Sequence, residues 1–298
     1  MSTQAMPGPW QEGARPHTPV PPDACDCHMH VYDGRYPAAA GARLRPPDAS
    51  VADYRRLQQR IGTRRTVLVT PSTYGTDNRC MLVALAELGT AARGVAVVDA
   101  AVSDAELARL GALGVRGVRF NLSLGSANTA AELLPLAHRI AALGWHVQLL
   151  MAPDALCALA GVLRRLPVPV VFDHLGRIAP ADAGRHPAHR LLLDLLGTGR
   201  AWVKLSGGYI VSPSHAVDDP ALAALARSYI DAAPERVLWG SDWPHATASA
   251  GLHPMPDDAQ QLDVLAGWSR DGRTLQGVLV DNPQALYGFA PAARPLPL

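Results

Sequence analysis

Long hydrophobic runs are missing from this 298-residue chain. No stretch reaches the roughly 18 uninterrupted apolar residues that a membrane-spanning helix needs. The first 22 residues, MSTQAMPGPWQEGARPHTPVPP, contain no apolar segment followed by a small-residue cleavage site of the kind that directs secretion. Charge of one sign is not in excess either: 27 Lys and Arg stand against 26 Asp and Glu, a formal charge of +1. That balance offers no broad basic field to nucleic acid or anionic lipid, so a charged partner must be met locally. Cysteine is scarce, with four in all, and Cys25 with Cys27 is a C-x-C that lacks a second pair to complete a zinc site. These absences predict reduced thiols in a cytoplasmic protein, with no nucleic-acid and no membrane partner. A G-x-G-x-x-G after the first strand candidate, the dinucleotide-binding fingerprint, is missing too.

What is present is apolar residues in quantity, 48% of the chain, and a repeating grammar. Short β-branched runs alternate with Ala/Leu/Arg segments whose apolar positions recur at helical spacing. Strand candidates fall at 24–31, 66–72, 93–99, 115–121, 146–151, 169–176, 201–208 and 236–245. Strands bounded by helices on both sides pair in parallel, with crossovers of one hand. Eight such units in this length predict an α/β fold, a (β/α)8 TIM barrel of one domain, spanning 23–291 between a proline-rich, flexible N-terminal arm (1–22) and a C-terminal tail (292–298). A doubly wound open sheet is the alternative.

In a barrel, reactive residues gather at the C-terminal ends of strands. There the sequence puts His28 and His30 after the first strand, Ser72 after the second, and Arg119 and Asn121 at the end of the fourth. Gln148 follows on the fifth, His174 after the sixth, Tyr209 after the seventh and Asp242 after the eighth. An H-x-H pair can bind a divalent ion through neutral imidazoles with a carboxylate completing the site, although H-x-H alone fits packed or surface histidines equally well. Arg119 is the candidate carboxylate clamp, since a guanidinium pairs bidentately with a planar acid. Asp173, next to His174, alternates to the opposite side of its strand, and Lys204 reads as a buried ion-pair member. Thr76 or Asp77 can cap the following helix, and residues 251–258 read as a lid.

The order of the motifs D-x-H-x-H (Asp26 to His30), P-S-T-Y-G-T-D-N (71–78), R-G-V-R-F-N (116–121), F-D-H-L-G around His174, V-K-L-S-G-G-Y (203–209), W-G-S-D-W-P-H (239–245) and D-N-P-x-x-L-Y-G-F (281–289) resembles the amidohydrolase superfamily. Within it, the resemblance is to the branch of 2-pyrone-4,6-dicarboxylate lactonases and related lactone hydrolases and isomerases. The resemblance implies a hydrolase in which Asp242 takes the proton of the attacking water while His28, His30 and His174 polarise the carbonyl. Binuclear members use a lysine or glutamate on strand four and a histidine on strand five; here Arg119 and Gln148 stand at those places, and His146 would face the wrong end of the barrel. The branch implies that no metal is required; if one ion is held, zinc or manganese on His28, His30 and Asp242 is the expectation.

For the substrate, the arginines that the branch places after strands four and seven are lacking. A lactone with one carboxylate, or a sugar-acid lactone read by Ser72, Tyr74, Asn121, Gln148 and Tyr209 with Trp243 as a wall, is therefore expected. The rivals are a lactone isomerase, a metal-dependent decarboxylase and a barrel that binds a sugar acid without turnover. Apolar helix faces would fit a homo-oligomer.

Overall fold

The computed structural model describes residues 13–123 and 127–291, which are built from eight short parallel strands with helices between them. They are β1 (Cys25–Met29), β2 (Arg65–Val69), β3 (Ala92–Ala96), β4 (Val115–Asn121), β5 (His146–Leu150), β6 (Val170–Phe172), β7 (Ala201–Lys204) and β8 (Val237–Leu238). Each pairs with the next in chain order. The first and last elements also meet: Cys27 N–H donates to Trp239 O (2.9 Å), His30 N–H to Trp243 O (2.8 Å) and Asp242 N–H to His28 O (2.8 Å). The sheet thus curls on itself as a (β/α)8 TIM barrel, and the open doubly wound alternative falls away.

Local chemistry explains the elements. The helix Val51–Ile61 starts at a capping box, with Ser50 accepting from Asp53 N–H, and ends at Gly62, whose φ of 85° suits a residue without Cβ. Its Val51, Tyr54, Leu57 and Ile61 are buried at helical spacing against the barrel. Burying such side chains contributes about 1.5–3 kcal/mol each. Strand residues that point outward, such as Met29, Leu68, Phe120, Leu149 and Phe172, join this outer core. Those that point inward form a separate apolar floor, including Cys25, Cys27, Val67, Val95, Val171 and Trp202, closed below by Tyr287 and Phe289. His146 lies in that floor against the Tyr287 ring (centroids 5.3 Å).

Three sequence expectations change in the structure. Residues 13–22 are not a loose arm: Asp263 accepts from the backbone N–H of His17 (3.1 Å) and Thr18 (2.8 Å); residues 1–12 and the tail 292–298 lie outside the described residues. The expected strand at 236–245 keeps only two strand residues, because Asp242 (φ 67°) and His245 (φ 59°) turn the chain out of extended geometry. The sixth strand stops at Phe172, and His174, Leu175, Gly176 and Arg177 all take positive φ. Among the described residues no helix is long and apolar enough to cross a membrane.

Gly240 is where β8's extension presses on the site. A Cβ there would lie 2.6 Å from His28 Cβ and 2.7 Å from its backbone nitrogen. Overpacking of this kind costs about 1–3 kcal/mol. Gly240→Ala should therefore lower the urea midpoint and displace His28; unchanged stability and activity would show that the two strands can part without consequence.

Candidate active site

The inner faces of the strands form layers. Above the apolar floor lies a polar layer, and above that a cavity of about 290 Å³ opens at the C-terminal rim. The polar layer is made of Lys204 from β7, Gln148 from β5, Asp173 just past β6 and Arg119 from β4. Lys204, the chain's one lysine, donates to Gln148 Oε1 (2.8 Å) and lies 3.4 Å from Asp173 Oδ1. Gln148 Nε2 donates to Asp173 Oδ2 (3.0 Å), and Arg119 Nε lies 3.6 Å from the same oxygen. Burial alone would raise the Asp173 pKa, but His28, Lys204 and Arg119 outweigh it and hold the carboxyl well below its ordinary range.

His28 is the link from this layer to the cavity. An irregular register between Asp26 and Met29 puts one extra residue on β1 opposite β2, and such bulges re-aim side chains. Asp26 anchors the bend from outside, accepting from Ser241 N–H (2.9 Å), Ser241 Oγ (2.6 Å), His28 N–H (3.1 Å) and Tyr54 OH (2.9 Å). Burial nevertheless pushes Asp26 up to about 6.

Four predicted residues converge at the base of the cavity. Asp242 Oδ1 faces His28 Nε2 at 3.5 Å, His174 Nε2 at 3.7 Å and His30 Nε2 at 3.8 Å. Its other oxygen accepts from Tyr209 OH (2.7 Å). Burial pulls the Asp242 pKa up, yet the three rings and the phenol bring it down to about 2, so the carboxylate is ionised at neutral pH. Burial depresses all three imidazoles; for His28 the Lys204 ammonium adds to it, and for His30 the Arg119 guanidinium does, taking that ring down to about 4. All three are therefore neutral at pH 7, and each ring carries one proton.

Where that proton sits follows from the partners. His30 Nδ1 lies 2.7 Å from Val69 O, a carbonyl that can only accept, so Nδ1 carries the proton and Nε2 turns a lone pair to the cavity. The expectation that all three rings donate fails for neutral His30. His28 Nδ1 lies between Lys204 Nζ (3.1 Å), which donates, and Asp173 Oδ1 (3.2 Å), which can only accept, a setting that accommodates either tautomer; with Lys204 donating, the proton is on Nε2, facing Asp242. His174 Nδ1 meets Ser206 Oγ at 3.0 Å, a partner that accommodates either tautomer.

Of the residues expected to touch substrate, Arg119, Ser72 and Asn121 line the cavity. Gln148 points inward but one layer too low. Tyr209 lies beneath Asp242, because Gly207 (φ 60°) starts a short helical turn that swings the phenol under the carboxylate. Tyr74 turns away, its hydroxyl accepting from Asp33 N–H (2.9 Å). Trp243 is fully buried against Tyr54 (centroids 5.3 Å) and walls no part of the cavity. Neither Thr76 nor Asp77 caps the next helix: its N-cap is Asn78, without a side-chain cap bond, and Asp77 accepts from Arg79 N–H (3.0 Å).

Asp173, expected on the side away from the site, lies under the cavity, 3.2 Å from His28 Nδ1: it keeps step with inward Val171, and it is His174, at φ 50°, that leaves the alternation. Arg177 and His253 line the cavity and were not anticipated. A basic residue three positions after His174 was the available signal for Arg177; for His253 there was only its place in the expected lid.

The donor set also fits one metal ion. His28, His174 and Asp242 offer ligand atoms within 4.8 Å of one another, and His28 Nε2 has no hydrogen-bond partner among the described residues. Separations of 3.5–3.8 Å across the cluster suit ligands placed around an ion at about 2.0–2.1 Å. No second group of this kind occurs among the described residues.

The chain resembles known proteins along nearly its whole length. The chain is 35% identical over 288 residues to a 2-pyrone-4,6-dicarboxylate hydrolase of Comamonas testosteroni, covering 92% of this chain and 93% of that one. It is 33% identical over 288 residues to a 4-sulfomuconolactone hydrolase of Rhizobium radiobacter (94% and 95% covered) and 33% over 282 residues to a D-galactarolactone isomerase of Agrobacterium fabrum (94% and 96%). A crystal structure of an Agrobacterium tumefaciens protein superposes with a TM-score of 0.85 at 32% identity, covering 95% of this chain and 99% of that one. The family model described as amidohydrolase matches residues 25–289, and the chain belongs to that family.

Proposed function

We propose that this enzyme opens the ring of a carboxylated or sugar-acid lactone by attack of water, with Asp242 as general base. The observation that carries the reading is the single carboxylate oxygen of Asp242 facing three imidazole nitrogens. A water seated there donates one hydrogen to Asp242 and the other to the His30 lone pair, which turns its oxygen toward the lactone carbonyl. As the C–O bond forms, the water becomes acidic and its proton passes to Asp242. The carbonyl oxygen gathers charge opposite His28 Nε2–H and His174. Preformed donors of this kind are worth about 3–4 kcal/mol each. When the tetrahedral centre collapses, the ring C–O bond breaks and the departing oxygen recovers the proton from Asp242, leaving an open-chain acid. Ser72 and Asn121 line the cavity where ring substituents lie, and Arg119 pairs with a carboxylate.

A bound divalent ion would be held by His28, His174 and Asp242, and it would supply Lewis-acid polarisation of the carbonyl. The reaction as drawn needs none, so activity should survive exhaustive chelation; loss of activity restored by one equivalent of zinc or manganese would reassign the histidines as ligands.

The test of the reaction is turnover in H2 18O with a panel of pyrone, muconolactone and aldarolactone substrates. Hydrolysis puts one solvent oxygen into the product carboxylate and releases a proton. The similarity to an isomerase supports a second reading, in which Asp242 takes the proton of a substrate hydroxyl; an altered ring without solvent oxygen would select it.

The pH profile is fixed by the same groups. His30, brought down to about 4, loses its lone pair as pH falls through that value, and Asp242 follows only near 2. With a lactone whose anionic group is a sulfonate, ionised throughout, kcat/KM should be flat from pH 6 to 8 with its acid limb near pH 4. A limb near the ordinary histidine value of about 6.5 would contradict the assignment.

A further inference from the structure

The two rings that meet the carbonyl in the reaction above are each touched from behind by one stretch of chain. Lys204 ends β7 and Ser206 lies two residues on, in step with inward Trp202. Lys204 Nζ reaches His28 Nδ1 (3.1 Å), and Ser206 Oγ reaches His174 Nδ1 (3.0 Å). Both side chains belong to buried residues, and neither lines the cavity.

A neutral imidazole shows the cavity either a proton or a lone pair at Nε2, according to what its Nδ1 meets. At His28 the choice lies between Lys204 and Asp173, and three observations favour the lysine. Its Nζ carries three hydrogens and meets three acceptors: Gln148 Oε1 at 2.8 Å, His28 Nδ1 at 3.1 Å and, as an ion pair, Asp173 Oδ1 at 3.4 Å. Were Nδ1 protonated, one buried ammonium hydrogen would lose its partner. Gln148 cannot compensate, because its Nε2 donates to Asp173 Oδ2 (3.0 Å) and keeps Oε1 toward the ammonium. Asp173 Oδ1, although 3.2 Å from the ring nitrogen, makes no hydrogen bond among the described residues. At the far side of the ring, a lone pair on Nε2 would face the Asp242 carboxylate at 3.5 Å, where a proton is attracted instead. At His174, Ser206 Oγ has no other hydrogen-bond partner among the described residues, so its hydroxyl hydrogen goes to Nδ1 and the ring proton stays on Nε2.

We propose that Lys204 and Ser206 are positioning residues that make His28 and His174 donors to the lactone carbonyl, while Val69 O makes His30 the acceptor for water. The two histidines of H-x-H thus hold opposite tautomers and do opposite work. The inference rests on the lactone-opening reading and deepens it, by naming what places the protons on which that reading depends.

The test is two-bond 15N–1H correlation of the histidine rings at pH 7, with His28→Gln, His30→Gln and His174→Gln assigning the signals. Wild type should show protons on Nε2 of His28 and His174 and on Nδ1 of His30. In Lys204→Met the His28 proton should move to Nδ1, toward Asp173, and kcat should fall by about 10²–10³, the loss for one oxyanion donor, with KM little changed. Removing Asp173 as well, in Lys204→Met/Asp173→Ala, takes away the acceptor at Nδ1, so the proton should return to Nε2 and part of the lost kcat with it. A lysine that merely supports the fold would give no such recovery. Ser206→Ala should leave His174 with mixed tautomers and a smaller loss of kcat; a ring still wholly protonated on Nε2 would remove Ser206 from the proposal. A wild-type His28 protonated on Nδ1, a Lys204→Met ring that keeps its proton on Nε2, or a proton that moves without loss of kcat would overturn it. If Lys204→Met does not fold, the wild-type spectrum and the double variant decide. If wild-type enzyme opens no lactone, the hydrolase reading fails, and the ring protons still show whether Lys204 and Ser206 place them.

Discussion

Asp242→Asn should leave a folded barrel that opens its lactone about 10²–10⁴ times more slowly, the usual range for removing a general base. The amide is nearly isosteric, and its oxygen can still accept from Tyr209 OH, as Asp242 Oδ2 does at 2.7 Å. The backbone gives no reason to unfold, since residue 242 sits at φ 67°, a region that Asn tolerates as well as Asp does. What disappears is the charged oxygen that three imidazoles face. The loss should therefore fall on kcat, with KM and the thermal midpoint little changed. Turnover within tenfold of wild type at saturating substrate would remove Asp242 from its role.

The second large effect is on stability. Asp173→Ala should cost about 3–5 kcal/mol by urea denaturation, the range for removing one partner of a buried ion pair. The carboxylate lies 3.4 Å from Lys204 Nζ, 3.6 Å from Arg119 Nε and 3.2 Å from His28 Nδ1, with all four side chains nearly or wholly out of solvent. Without it two cations remain in the barrel with no counterion. Adding Lys204→Met should then return part of the loss, with a coupling of about 0.5–3 kcal/mol; strict additivity would show that the two charges do not depend on each other. The sign with pH follows from the depressed Asp173 pKa. Its contribution is complete above the unfolded aspartate value of about 3.9 and is lost as pH falls toward the lower folded value, so wild type and Asp173→Ala should differ fully at pH 7 and converge in strong acid.

Much of this architecture can be read from residue order, because strands impose a two-residue period and barrels bring strand ends to one rim. His30, Arg119, Asn121, Gln148 and Lys204 point inward at alternate positions of their strands, whereas His28 directly follows inward Cys27 and owes its aim to the bulge in β1. Depth is another matter: alternation says which side of a strand a residue faces but not which layer it occupies, so Gln148 was expected to touch substrate and instead supports Lys204 and Asp173. Beyond the strand ends the period is soon lost. Arg177 and Trp243 lie past that point, where left-handed backbone at positions 174–177 and at 242 redirects the chain, whereas Asp173 still keeps step with inward Val171. Tautomers are further still from sequence, since the proton on His30 is placed by Val69 O, which is far along the chain.

The backbone bonds that join His28 and His30 to Asp242 and Trp243 mean that the reactive groups are assembled at the join between the earliest and latest parts of the barrel. During synthesis the imidazoles emerge more than two hundred residues ahead of their carboxylate. A ribosome-bound fragment can therefore carry most of the protein's mass and still lack the carboxylate that completes the cluster.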